Sequence, residues 1–263
     1  MEIQLGCLNR PWYEFTLEEA LSGIAGAGYQ TVGFTGQQGR PVFSADSTDD
    51  DIAQLRSLLQ RHRLKPQVVI SQPDLGLEAD EAVYRFQREI ERAQRLGLGY
   101  FILCGTAEES KYEQWYSLVE RCLDYAGEHG ITLLLKPHGG ISARSGDLLR
   151  AARRLSHSSF GLCYDPGNIY YYTGEKAEED LPAVAKQIRA MCIKDERGGR
   201  HGEVMITPGT GLVDFHRIFS LLGEAGFRGP CWVECVGGKT VAEINSEAKK
   251  TYQFVTETVA GLA

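Results

Sequence analysis

The chain has 263 residues, of which 43% are hydrophobic, and its formal net charge is −7 at pH 7. This length and apolar content are enough for one sizeable core in a single domain. The acidic balance argues against general nucleic-acid binding, because it repels a phosphate backbone. The sequence has no run of eighteen or more apolar residues, so it predicts no membrane span and no membrane partner.

The seven cysteines follow no disulfide framework. Their number is odd, no two are spaced as CxxC, and several lie in apolar strand-like runs. We therefore expect buried, reduced thiols in a cytoplasmic protein. The first residues lack a basic region followed by an apolar stretch, so they do not predict a signal peptide.

Short apolar runs alternate with amphipathic stretches from one end of the chain to the other. The first strand is predicted at 3–8 and the first helix at 16–27, with Thr16 and Glu19 as a capping box and Gly28 as the C-cap. The later strands are predicted at 31–34, 67–71, 100–104, 131–135, 160–164, 190–193 and 231–233. The later helices are predicted at 49–62, 78–96, 112–129, 146–155, 177–187, 214–225 and 241–259.

Strict alternation of strands and helices indicates a parallel sheet with helical crossovers. The competing architecture is a doubly wound open sheet, which usually carries a glycine fingerprint after its first strand. Here that turn reads Leu8-Asn9-Arg10-Pro11-Trp12 and has no glycine. We therefore predict an α/β fold, a closed (β/α)8 TIM barrel, with residues 1–263 forming a single domain.

Polar residues stand where four consecutive predicted strands end. In barrels the loops after the strands carry the chemistry, and a buried charge costs free energy unless it pairs or binds something. The strand period of two places Lys136 and His138 on one face. The clustering therefore predicts a site at this end of the barrel. The candidates are Lys136, His138, Asp165, Cys192, Lys194 and Glu234.

Each candidate also has a purely structural explanation. The segment 165–168, Asp-Pro-Gly-Asn, contains only turn formers. Lys194 and Asp195 could be a solvated pair at the start of a loop, and Cys192 could be a small buried apolar residue. Glu234, between Val233 and Cys235, is the hardest to explain without a function.

Several sequence segments resemble one family. They are GIAGAGYQTVGF near the start, HGG after the fifth strand, CYDPGN after the sixth, IKD after the seventh, PGTGLVDF before the next helix, and WVEC at the eighth strand. Together they resemble the xylose-isomerase-like sugar isomerase/epimerase family, whose barrel superfamily includes endonuclease IV. The resemblance extends over nearly the whole chain.

The resemblance implies one divalent metal held by a Glu, an Asp, a His and a Glu at the ends of strands five to eight. Asp165 and Glu234 match this set, whereas Lys136 and Cys192 replace the first Glu and the His. Two interpretations stay open, and the first is slightly favoured. Either the Lys136 ammonium replaces the charge of the metal, or a Mn, Mg or Zn ion persists near His138, bound by Asp165, Glu234 and Cys192. A cysteine ligand favours zinc.

The resemblance also implies an isomerase or epimerase that moves a proton next to the carbonyl of a small carbohydrate. Glu234 is then the candidate base, Lys136 the acid, base or oxyanion-stabilising cation, and His138 a proton shuttle. Candidate substrate-binding residues are Asn9, Arg10, Trp12 with its ring stacked on a sugar, Asn168, Lys194, and His201 in a glycine-rich loop above the barrel mouth.

Other functions remain as alternatives. The same residues could serve a lyase, dehydratase or hydrolase acting on an oxidised sugar or polyol derivative. The loss of two metal ligands could also leave a barrel that only binds a sugar or a protein. An endonuclease is disfavoured, because its three zinc ions need many histidines and the net charge is unsuited to DNA. Because relatives often self-associate, a homo-oligomer is expected.

Overall fold

The structure is a computed structural model that describes residues 2–262. Eight parallel strands form a closed barrel in chain order, because the first strand pairs with both the second and the last. The strands are β1 (Ile3–Leu8), β2 (Thr31–Phe34), β3 (Lys65–Ile70), β4 (Tyr100–Leu103), β5 (Thr132–Leu135), β6 (Phe160–Tyr164), β7 (Ile188–Ile193) and β8 (Gly229–Val233). The predicted fold class is confirmed, and the open sheet is excluded.

Helices follow every strand and surround the barrel. They are α1 (Leu17–Ala27), α2 (Asp49–Arg61), α3 (Ala79–Leu96), α4 (Tyr112–Glu128), α5 (Ser145–Arg154), α6 (Pro166–Thr173), α7 (Ala177–Asp180), α8 (Phe215–Glu224) and α9 (Val241–Ala260). The predicted start of α1 is confirmed, since Thr16 and Glu19 form a capping box, and Gly28 ends the helix with a φ of 109°. Within residues 2–262, no helix is long and apolar enough to cross a membrane.

The prediction of one helix over 177–187 was wrong. Only α7 is helical there, and two short 3-10 turns, Leu181–Ala183 and Ala185–Gln187, lead into β7. Pro182 explains the break, because proline has no backbone N–H and clashes with the preceding turn of an α-helix. The sequence reading also missed α6 and a small hairpin formed by Gly36–Gln37 and Arg40–Pro41.

The inside of the barrel is filled by apolar side chains. Their buried members are Leu8, Val68, Ile102, Leu134, Cys163, Ala190, Cys192 and Trp232. The strand period of two directs the residue two positions further along each strand to the same inward side. From Leu134, Cys163, Cys192 and Trp232 this step leads to Lys136, Asp165, Lys194 and Glu234. Arg10 joins them from the 3-10 turn Arg10–Trp12, which follows the end of β1 at Leu8. The apolar side chains are therefore followed by a charged layer at the carboxyl ends of the strands.

Asp195 fastens the loop that follows β7. Its Oδ2 accepts hydrogen bonds from the N–H groups of Gly209 (2.9 Å) and Gly211 (2.8 Å), and its Oδ1 accepts from those of Val213 (3.1 Å) and Glu196 (2.8 Å). Asp195 is fully buried. The solvated Lys194–Asp195 pair considered from the sequence is therefore absent, since Lys194 is buried as well.

We expect Asp195→Ala to lower the free energy of unfolding by about 3 kcal/mol, because it leaves several backbone donors without a partner. Urea unfolding followed by circular dichroism measures this change. Glu120→Ala, on an exposed position of α4, is the control and should stay within about 0.5 kcal/mol of the parent protein. Equal stability of the two variants would contradict the role given to Asp195.

Candidate functional site

The centre of the site is a lysine that lies between two carboxylates. Lys136 Nζ donates to Glu234 Oε2 at 2.6 Å and to Asp165 Oδ2 at 3.1 Å. Lys136 is 1% exposed, and both acids are completely buried. The ends of β5, β6 and β8 supply these three residues, so the predicted cluster of Lys136, Asp165 and Glu234 does form.

Two further cations bind the same carboxylates. Lys194 Nζ lies 2.7 Å from Glu234 Oε1 and 3.5 Å from Asp165 Oδ2. Arg10 Nη1, from the turn after β1, donates to Glu234 Oε1 at 2.9 Å. Lys194 is almost fully buried, whereas the Arg10 side chain is 38% exposed. Three cations therefore surround two carboxylates.

The contacts keep Glu234, Lys136 and Lys194 ionised. Burial alone would raise the pKa of Glu234, but Lys136, Lys194 and Arg10 lower it well below its ordinary value of 4.5. Burial alone would lower the pKa of Lys136, but the charges of Glu234 and Asp165 raise it well above 10.5. The pKa of Lys194 is likewise raised, against the effect of burial, by Asp165 and Glu234. Lys136 is therefore an ammonium ion at neutral pH rather than a free amine.

The two oxygens of Glu234 are not equivalent. Within residues 2–262, Oε1 accepts from both Lys194 and Arg10, whereas Oε2 accepts from Lys136 alone. A carboxylate oxygen has two acceptor positions. Oε2 consequently keeps one position for a proton from a substrate.

Three side chains place potential metal-ligating atoms close together. One atom from each of Asp165, Cys192 and Glu234 lies within 4.8 Å of the others. The hydrogen bond with Cys163, 3.8 Å away between sulfurs, and burial raise the pKa of the Cys192 thiol well above its ordinary value. The arrangement is a possible metal site, with its thiol protonated and with Lys136 bound to both of its carboxylates.

His138 lies at the edge of the cluster as a neutral imidazole. Burial, together with the charges of Lys136 and Lys194, lowers its pKa to about 4. Its Nε2 is 3.1 Å from Tyr172 Oη. Gly139 allows this approach: its φ of 76° disfavours any side chain, and a Cβ there would lie 2.8 Å from the Tyr172 ring. Gly139 therefore makes room for the Tyr172 ring.

An aromatic series connects His138 with the loop that contains His201. Ring centroids are 5.0 Å apart for His138 and Tyr172, 4.9 Å for Tyr172 and Tyr171, and 5.3 Å for Tyr171 and His201. The His201 N–H also donates to the Tyr171 carbonyl at 2.8 Å. His201 is exposed and contacts α6, so the structure places it away from the charged cluster.

Two of the expected substrate-binding side chains have structural roles instead. Trp12 is fully buried, and its Nε1 donates to Asn245 of α9 at 2.9 Å, so its ring offers no free face to a sugar. Asn9 is also fully buried: its Nδ2 donates to Gln37 at 2.6 Å and its Oδ1 accepts from the Thr35 N–H at 2.7 Å. These contacts hold α9 and the hairpin against the end of β1.

Asn168 joins neighbouring strand ends. Its Nδ2 donates to the Pro137 carbonyl at 2.6 Å, its Oδ1 accepts from Lys194 at 3.1 Å, and its N–H donates to Asp165 Oδ1 at 3.0 Å. Because both ends of the amide are engaged, Asn168 orients Lys194 and Asp165. Its expected direct contact with substrate is not supported by this geometry.

Sequence reasoning considered Lys194 and Arg10 only as binders of substrate hydroxyls and did not name Tyr172. The step of two residues beyond buried Cys192 is the signal for the inward direction of Lys194. Arg10 lies in a 3-10 turn after β1, so no strand period signals its direction. Tyr172 lies on α6, a helix that was not predicted from the sequence. Nothing in the sequence therefore indicated that Tyr172 lies near the site.

Comparison with known proteins agrees with the observed architecture. A family model described as the xylose isomerase-like TIM barrel matches residues 22–257. The inosose dehydratase of Geobacillus thermodenitrificans is 26% identical over 165 residues, 56% of this chain and 55% of that protein. The L-ribulose-5-phosphate 3-epimerase UlaE of Escherichia coli K12 is 26% identical over 242 residues, 82% of this chain and 84% of that one. The chain thus spans about half the length of the inosose dehydratases that it matches.

Solved structures show the same fold. The D-psicose 3-epimerase of Clostridium cellulolyticum H10, solved with D-tagatose, superposes with a TM-score of 0.77 at 12% identity and covers 98% of this chain and 99% of its own. The IOLI protein, solved with a zinc atom, superposes with a TM-score of 0.77 at 18% identity and covers 99% of both chains.

The charged cluster predicts how stability depends on pH. Because the pKa of Glu234 is lowered on folding, its stabilisation is present above pH 4.5 and is lost as the pH falls through the folded-state value. Because the pKa of Lys136 is raised, its contribution is present below pH 10.5 and is lost as the pH rises further. We expect Glu234→Gln to flatten the loss of unfolding free energy between pH 5 and pH 3, measured by urea unfolding.

Glu257→Gln, on an exposed position of α9, is the control and should lose unfolding free energy between pH 5 and pH 3 as the parent protein does. If Glu234→Gln loses unfolding free energy as steeply as the parent over this pH range, the coupling of Glu234 to the three cations is contradicted.

Proposed function

The chain belongs to the xylose isomerase-like TIM-barrel family, and on that basis we propose that it is an isomerase or epimerase of a small sugar or sugar derivative. The observation that carries this proposal is the open acceptor position on Glu234 Oε2, next to the Lys136 ammonium 2.6 Å away. A base beside a cation is the arrangement that removal of a proton alpha to a carbonyl requires.

The proposed reaction uses no metal ion. Asp165 and Glu234 would have to supply oxygens to a divalent ion, but these oxygens accept from Lys136 at 3.1 and 2.6 Å. A protonated ammonium has no lone pair with which to ligate a metal, and it repels a cation at short range. The residues present therefore do not fit a Mn, Mg or Zn ion in the family's position. We propose that Lys136 and Lys194 supply the positive charge.

In the proposed reaction Glu234 Oε2 takes the proton from the carbon next to the carbonyl. The negative charge then moves from Glu234 to the carbonyl oxygen of the substrate, which becomes an enediolate. When Glu234 is protonated, Lys136 and Lys194 lose its carboxylate as a partner, but they gain the enediolate oxygen that forms beside it. The low pKa of Glu234 makes it a weak base, and this cost is partly offset because the same two cations stabilise the enediolate.

The return of the proton decides between isomerisation and epimerisation. Glu234 alone can return it to the neighbouring carbon, and transfer of the hydroxyl proton between the two enediolate oxygens then completes isomerisation. Epimerisation also needs a donor on the opposite face of the substrate, and His138, hydrogen-bonded to Tyr172, is the group that we propose for this shuttle. As a neutral imidazole, His138 carries one N–H donor and one acceptor.

Dehydration is the second candidate function. It begins with the same abstraction by Glu234, after which a hydroxyl group leaves instead of the proton returning. Similarity over 165 residues to an inosose dehydratase supports this second candidate. Product analysis by NMR in deuterated water separates the two reactions, because isomerisation conserves the formula and dehydration removes water.

The proposed setting is a reducing compartment such as the cytoplasm. All seven cysteines are free, and six of them are buried, which supports this placement. Self-association of the chain into a homo-oligomer remains a prediction.

We expect Glu234→Gln to reduce the exchange of the substrate's alpha hydrogen with deuterated water by about 10²–10⁴-fold, the usual contribution of a general base. NMR of a panel of ketoses, aldoses and their phosphates measures the exchange, and circular dichroism verifies the fold. Glu257→Gln is the matched control and should exchange at the parental rate. Undiminished exchange in a folded Glu234→Gln protein would rule out Glu234 as the base.

We also expect the purified protein to carry no stoichiometric divalent metal after purification without chelators. The double variant Lys136→Glu, Cys192→His exchanges an ammonium and a thiol for a carboxylate and an imidazole beside Asp165 and Glu234, and it should bind Mn²⁺ or Zn²⁺. Elemental analysis and calorimetric titration measure both effects. One metal ion per chain in the parent protein would contradict the proposed role of Lys136.

A further inference from the structure

Resting on the proposed function, we infer that the substrate carries an anionic group, a carboxylate or a phosphate, which binds to the outward-facing side of Arg10. The charge balance of the buried cluster leads to this inference. Lys136, Lys194 and Arg10 bring three positive charges, and Asp165 and Glu234 bring two negative charges.

Neighbouring groups do not supply the missing negative charge. Among the described residues, the ion pairs of the three cations involve only Asp165 and Glu234. An excess positive charge in a largely buried site costs free energy until an anion joins it.

Arg10 is the member of the cluster that reaches solvent. Its Nη1 donates to Glu234, while 38% of its side chain is exposed. A guanidinium has five N–H donors in a planar fork, so the outer edge of Arg10 can still bind two oxygens of a carboxylate or a phosphate. An anion held there pairs with the same guanidinium that donates to Glu234.

A cavity of about 650 Å³ opens beside Arg10, which is within the usual range for sites that bind small molecules. Lys239 adds a second cation to its lining and Glu14 the opposing acid, while Tyr13, Phe15 and Met205 give it an apolar side. Arg10 belongs to both the cavity wall and the charged cluster, so an anionic group in the cavity can pair with the cation that also contacts Glu234.

Three hexitol derivatives test the inference without turnover. D-glucitol is neutral, D-gluconate carries a carboxylate, and D-glucitol 6-phosphate carries a phosphate. We expect at least one anion to bind about tenfold or more tightly than D-glucitol in calorimetric titrations at constant ionic strength, and the tighter anion identifies the source of the charge. Equal affinity for all three compounds, or no detectable binding of either anion, overturns the inference.

Substitutions locate the anion. Arg10→Gln should weaken binding of the preferred anion about tenfold more than it weakens binding of D-glucitol, and Lys239→Gln should weaken anion binding two- to threefold. Arg153→Gln, on an exposed position of α5, is the matched control. Anion affinity that is unchanged in a folded Arg10→Gln protein overturns the assignment to Arg10.

Glu234→Gln separates this inference from the proposed function. Removing one negative charge raises the excess positive charge of the cluster, so the anion should bind more tightly even though hydrogen exchange is lost. If exchange persists while anion selectivity is retained, the base assignment fails and the anion site stands. If exchange is lost and both anions bind no better than D-glucitol, the base stands and the anion site fails.

Discussion

The Lys136 ammonium between Asp165 and Glu234 is the contact on which the carboxyl end of the barrel depends. Completely buried carboxylates are tolerated only when they are paired, and removing one partner of a buried ion pair costs about 3–5 kcal/mol. Through Lys136, Lys194 and Arg10 the ends of β1, β5, β6, β7 and β8 converge on two acids. The same cations that hold these strands together keep Glu234 ionised and ready to accept a proton.

Most of the fold could be predicted from the sequence, because alternating apolar runs and amphipathic stretches leave a parallel sheet few alternatives. The failures have local causes. Pro182 interrupted what looked like one helix, and α6 has no amphipathic period: it begins where Asp165 caps it and Pro166 occupies its first position. The hairpin after β2 depends on Asn9 and Gln37, which are distant in sequence.

The candidate site was predictable where a polar residue directly follows an apolar strand, as Lys136, Asp165 and Glu234 do. The ion pairs between these residues were not predictable from the sequence. They depend on closure of the barrel, which brings the end of β1 next to β8 and so places Arg10 beside Glu234. Trp12 illustrates the opposite case. Its position after a strand indicated the barrel mouth, but contact with Asn245 on the last helix decides where its ring lies.

The attachment of the β7 loop to Asp195 has a consequence for how this scaffold can diversify. Asp195 binds the backbone at positions 209, 211 and 213, while Arg197 and Glu203 exchange backbone hydrogen bonds and close the turn between them. The turn 198–202 therefore has five residues, and hydrogen bonds fix the backbone at both of its ends. Insertions or replacements confined to this turn can change the shape of the barrel mouth while the register of β7 stays unchanged.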